Sequence, residues 1–182
     1  MRLGQGRDNG EPGVGMAARW GFCVGIALGF ASVGPVYAQD ATLQPIPAAE
    51  CQKFAVQTQA AVGFPMNAGE DDFTDLTDGS EGRSCHISGS ASDQTYAGPA
   101  DLIAKIAKVF GDWRDDPARA ADGPGGAEKG LVSGDRIATI EVSWEPGPGI
   151  TCSDKEPLSA CKILPQQKLW NAVVDIVVKP AK

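Results

Sequence analysis

Small and apolar residues recur at helical spacing in two stretches of this chain. Ala48, Cys51, Phe54, Ala55, Thr58, Ala61 and Val62 follow the i, i+3, i+4 rhythm of one helix face. Pro47 suits the first turn and Gly63 the end, so a helix is predicted over Ala48–Val62. Few charges interrupt it, which predicts that most of this helix is buried against a sheet. Pro99–Phe110 repeats the pattern, with Leu102, Ile103, Ile106 and Phe110 inward and Asp101, Lys105 and Lys108 outward. Pro99 fits its first turn, Asp101 complements the helix dipole, and Gly111 ends it.

Elsewhere the period is two. Ser84–Ser90 places Cys85, Ile87 and Gly89 on one face. Arg136–Glu145 sets Ala138, Ile140, Val142 and Trp144 against Thr139, Glu141 and Ser143. Leu169–Lys179 alternates Trp170, Ala172, Val174, Ile176 and Val178 with Asn171, Asp175 and Lys179, while Val173 and Val177 make its second face partly apolar. A weaker strand over Lys129–Ser133 turns through Gly134-Asp135 into the next, as a hairpin. Phe64–Thr77 has room for one or two short strands more. The expected fold is therefore α+β: an antiparallel sheet of about five strands with two helices packed on one face. No fixed-period repeat and no long linker divides it.

Before residue 39 the pattern changes. Trp20–Val33 is a continuous apolar run, preceded by Arg19 and followed by Gly34-Pro35-Val36-Tyr37-Ala38. As a helix, fourteen residues span roughly 21 Å, short of the ~30 Å hydrocarbon core. Val36 and Ala38 fit the small-residue rule of a signal peptidase, with Gln39 as the new N-terminus. Residues 1–38 are thus expected to be an N-terminal extension with a cleavable signal, Met16-Ala-Ala-Arg19 being a better start than Met1. Residues 39–182 are expected to be one exported domain, periplasmic or secreted, with no membrane attachment after cleavage.

Composition sharpens this picture. The chain has 182 residues, 16 basic and 23 acidic, for a net charge of −7. Removing residues 1–38 takes Arg2, Arg7, Arg19, Asp8 and Glu11, leaving 13 basic and 21 acidic residues in 144, a net −8. Such an acid excess argues against nucleic-acid partners, which demand a basic face. Cys23 leaves as well, so five cysteines become four. In an oxidising compartment four cysteines pair. Cys51–Cys85 and Cys152–Cys161 are the expected bridges, each closing one local unit; in the loop-entropy picture they contribute about 3.8 and 2.6 kcal/mol. No Cys-x-x-Cys spacing supports zinc or redox chemistry.

Candidate chemistry is sparse. His86 is the single histidine, and it follows Cys85 directly. On a strand the two side chains point to opposite faces, which disfavours a Cys/His pair. No Gly-x-Ser-x-Gly elbow supports a Ser-His-Asp triad. Asp71, Asp72, Asp75, Asp78 and Glu81 form the densest acidic run and are candidate calcium ligands outside any EF-hand register, with a solvated acidic loop as the alternative. Asp122–Gly130 is Gly-rich, but Glu128 and Gly130 flank Lys129 where a phosphate loop needs Gly and Ser or Thr, so a turn is expected. Ser159-Ala-Cys-Lys162 matches a Ser-x-x-Lys pair without its companion motifs. Trp113, Trp144 and Tyr96 are the aromatic candidates for binding. Trp144 and Trp170 read more simply as core, and Trp113 reads as the exposed contact, forming one rim for a partner with Glu145–Gly149 and the Cys152–Cys161 loop.

These features are read as a monomeric, exported, non-enzymatic binding domain for a protein or small molecule, with no cofactor. An exported hydrolase and a protein inhibitor acting through its loops are the alternatives.

Overall fold

The sequence folds around its last long alternating segment. In the computed structural model, which describes residues 42–153, 155, 160, 161 and 163–180, that strand lies mid-sheet. Residues 1–38 and the Ser159/Lys162 pair lie outside the described residues.

The elements are β1 (Gln44–Pro45), α1 (Ala48–Val62), β2 (Asn67–Asp75), β3 (Ser80–Ala91), α2 (Pro99–Ala107), β4 (Arg114–Asp122), β5 (Gly126–Ser133), β6 (Arg136–Pro146) and β7 (Lys168–Val178). The sheet has seven strands rather than five, in the order β2-β3-β7-β6-β5-β4, with β1 added beside β7. All of these strand pairs are antiparallel. β3 follows β7 only as far as Cys85 opposite Ile176, and β1 then takes its place opposite Val177 and Val178. Leu43 is stitched to β3 there: its N–H donates to the Glu81 carbonyl (3.0 Å), and its carbonyl accepts from Arg83 N–H (3.1 Å). A side chain at Gly82 would overlap the Leu43 backbone, so only glycine admits this approach.

Both helices lie on one face, as the periodicity predicts. Leu102, Ile103 and Ile106 of α2 join Ile87, Ala138, Ile140, Val142, Trp170, Val174 and Ile176 in one buried cluster. Tyr96 meets Trp170 edge-on (5.3 Å between centroids), and its hydroxyl donates to the Val62 carbonyl. α2 ends in a short 3-10 turn over Lys108–Phe110 before Gly111, whose φ of +56° accounts for glycine at the stop. α1 is less buried than its few charges suggest. Cys51, Ala55, Thr58 and Val62 form its buried stripe, whereas Ala48 is exposed and Val56 is 61% exposed. Gln52, Gln57 and Gln59 lie on its exposed side together with Lys53.

Cys51 joins α1 to Cys85 in mid-sheet (Cα–Cα 5.7 Å), and Cys152 joins Cys161 between β6 and β7 (5.6 Å). The opposite face of the sheet carries its own small core of Leu43, Ile137 and Val177, flanked by Phe73 and Val132. That burial uses the second apolar face of β7.

Candidate functional site

Alternation along the strands sends one set of polar residues to the face away from the helices. Register then lines them up: His86 lies opposite Asp175, Asp175 opposite Thr139, Thr139 opposite Gly130, and Gly130 opposite Asp116. A single polar row thus crosses β3, β7, β6, β5 and β4. The neighbouring row places Glu141 directly opposite Glu128.

β4 loses register between Asp116 and Ala120, where three residues bulge out. The bulge brings Arg119 over Gly130. A Cβ at Gly130 would collide with the Arg119 side chain and stand 3.0 Å from the Asp116 carbonyl oxygen. With that space open, the Arg119 guanidinium bonds Asp116 and then crosses to Asp75 at the end of β2, also donating to Thr77 Oγ1 (2.8 Å). β2 and β4 are the opposite edges of the sheet, so this link marks how strongly the sheet curls around its open face. Lys179 Nζ adds a second cation at 3.0 Å from Asp75 and 2.7 Å from Asp78.

These contacts set the local electrostatics. Burial would raise the Asp75 carboxyl, but hydrogen bonds from Arg119, Thr77 and Lys179 outweigh it and hold the group well below the usual carboxylate range. Lys179 and Ser80 hold Asp78 down to about 2. Glu128 is shifted the other way: burial pushes its carboxyl up, Glu141 adds repulsion, and Arg119 only partly offsets both.

Beneath this link lies a cleft of about 590 Å³, lined by Phe73, Thr139, Glu128, Glu141, Asp175 and Arg119 among others. Within the described protein, neither Thr139 Oγ1 nor Arg119 Nε has a hydrogen-bond partner, though both atoms are buried. Beside the cleft, Asp175 Oδ1 accepts from Ser84 Oγ (2.6 Å) and lies 3.0 Å from His86 Nδ1. The carboxylate stands between hydroxyl and imidazole. A nucleophilic triad needs the imidazole in the middle, so Ser84, which is fully buried, is not activated by His86.

A second depression, of about 730 Å³, lies between α2 and the β4–β5 hairpin, with Ile103, Ala107, Trp113, Ala127 and Leu131 along it. Trp113 is half-buried there rather than free, packed edge-on against Phe110 (5.2 Å) and Phe54 (6.3 Å). Tyr96 and Trp144 sit in the core, Trp144 donating from Nε1 to the Pro124 carbonyl (2.8 Å). Neither presents a surface.

The acidic run is not a loop. Asp71, Asp72 and Asp75 belong to β2, Asp78 to the hairpin turn, and Glu81 to β3. Asp72 pairs with Arg83, and Asp75 and Asp78 with the cations described above. Alternation separates Asp71 from Asp72 onto different faces. Among the described residues, no three His, Cys, Asp or Glu side chains are grouped to hold a metal ion. The Gly-rich segment forms the tip and second strand of the β4–β5 hairpin, not a phosphate cradle. Among the described residues, no helix is long and apolar enough to cross a membrane.

Comparison with known protein families, curated proteins and solved structures finds no match to this chain. Sequence reasoning missed Arg119, Glu128, Glu141 and Asp175 as a group. The polar faces of β6 and β7 were visible in the alternation, but their neighbours depend on a strand order that local pattern does not encode.

Proposed function

We propose that this chain is a non-catalytic binding module of an exported compartment, and that the open-face cleft takes a small organic cation. The opposed pair Glu128 and Glu141 carries this reading. Like charges directly opposite on neighbouring strands destabilise a sheet. No basic side chain forms an ion pair with either among the described residues. An ammonium or guanidinium entering the cleft relieves that repulsion, while buried Thr139 Oγ1 supplies a hydrogen-bonding group. Both disulfides support an oxidising location.

Titration calorimetry with putrescine, spermidine and agmatine tests it. A saturable heat with one of them, weakened about tenfold in the E128Q/E141Q double variant, is expected for a lost charge-assisted contact. An unchanged affinity in that variant, or no heat with any of the three, overturns the reading.

The groove beside Trp113 favours a second reading, an apolar or amphipathic ligand held between α2 and β4, because its floor is largely apolar. Alkyl-chain probes that shift Trp113 fluorescence in the wild type, and lose the shift in Ala107→Trp, support it. No shift retires it.

A further inference from the structure

The two edges of this sheet are finished differently. β4 carries Pro117 and a three-residue bulge, both of which spoil pairing with another strand. β2 has neither. Its nine residues register with β3 in nine consecutive pairs without a shift, and among the described residues no strand pairs with its outer side. The direction of its backbone follows from one contact: Asp72 N–H is taken by the Asp71 carboxylate at 2.8 Å, so it turns away from β3. By the alternation of an antiparallel ladder, Ala68, Glu70 and Thr74 also aim their N–H and C=O groups outward.

Charge then selects what can pair there. Glu70 shares the helix-side face with Cys85, and Asp71 shares the open face with Ser84. Arg83 on Asp72 is the one ion pair that Glu70, Asp71 and Asp72 make among the described residues. A second copy of β2 would set Glu70, Asp71 and Asp72 against the same three carboxylates, which opposes self-pairing in either direction. A strand bearing cations at successive positions reverses the sign on both faces at once.

We infer that the outer edge of β2 accepts an extended basic segment of another polypeptide as an added strand. Main-chain hydrogen bonds from Ala68, Glu70 and Thr74 supply the attachment, and Glu70 and Asp71 supply the selection for Lys or Arg over each face. The Asp71 carboxylate acts as a removable cap: a lysine that draws it aside frees the Asp72 N–H for the incoming strand. Thr74 also lines the Glu128/Glu141 cleft, but Glu70 and Asp71 do not, so the E70Q/D71N variant tests this edge without touching the cleft.

The test uses the intact protein and a short acetylated peptide alternating Lys-Lys with Val. A companion peptide, N-methylated at every residue, keeps the charge but donates no main-chain hydrogen bond. The expected result is binding by the parent peptide, about tenfold weaker with the companion and about tenfold weaker for the E70Q/D71N protein. Hydrogen exchange at Ala68, Glu70 and Thr74 should slow on binding. Ala68→Pro removes an outward donor at constant charge and should also lose the parent peptide. Should that variant fail to fold, the two peptides on wild-type protein remain decisive. Equal binding of both peptides, absence of binding, or self-association through β2 overturns the proposal.

Discussion

Arg119 and Asp75 stand on opposite edges of one sheet, yet their side chains are hydrogen-bonded to each other, and both are nearly buried, at 10% and 1% exposure. Removing the arginine strands a desolvated carboxylate. Arg119→Ala should destabilise the fold by about 3 kcal/mol, the low end for a broken buried pair because Lys179 and Thr77 still hold Asp75. Urea denaturation at neutral pH measures it.

The same network has a pH signature. The Asp75 carboxyl is held below its ordinary value of 3.8 in the folded state, so it binds fewer protons there than in the unfolded chain. Its contribution is present above pH 4 and is lost as pH falls through the folded value. Between pH 5 and pH 2, the stability of the wild type should fall more steeply than that of Asp75→Asn, as followed by denaturation midpoints.

Glu128 carries the opposite sign. Its folded carboxyl is raised, so folding favours the protonated form and stability declines as pH rises through its titration. Glu128→Gln should therefore be more stable than wild type at pH 8 by about 0.2–1 kcal/mol, the scale of a cross-strand charge pair. The difference should vanish by pH 3. A constant difference across that range would count against the repulsion.

Gly130 offers a steric test of the bulge. Alanine there meets the Arg119 side chain and the Asp116 carbonyl, and relief requires the bulge to move. Gly130→Ala should destabilise by about 1–3 kcal/mol, the range for overpacking. Because the shift dislodges Arg119, combining it with Arg119→Ala should cost less than the sum of the two.

Much of this fold was legible because the signal was local. Trp170, Ala172, Val174 and Ile176 alternate cleanly, and their strand was found within one residue at each end. Gly111 and Pro99 marked α2 for reasons of backbone conformation alone. β4 escaped because Asp115-Asp116-Pro117 has turn chemistry, and the bulge breaks the two-residue period that would identify a strand. β1 escaped because two residues make no pattern. The site failed on a different level. His86 and Asp175 were each visible, but their adjacency depends on β3 lying beside β7, eighty-nine residues away in sequence.

The central position of β7 also governs how the molecule is made. β2–β3 and β4–β6 are two separate hairpin assemblies, and each leaves a strand edge of unpaired N–H and C=O groups until β7 arrives between them. Neither half has a finished sheet before Lys168–Val178 is available, so closure depends on the latest long element in the order of synthesis. Completion of the sheet thus waits for the strand that joins its two hairpin assemblies, which makes its assembly an event of both together and not of either alone.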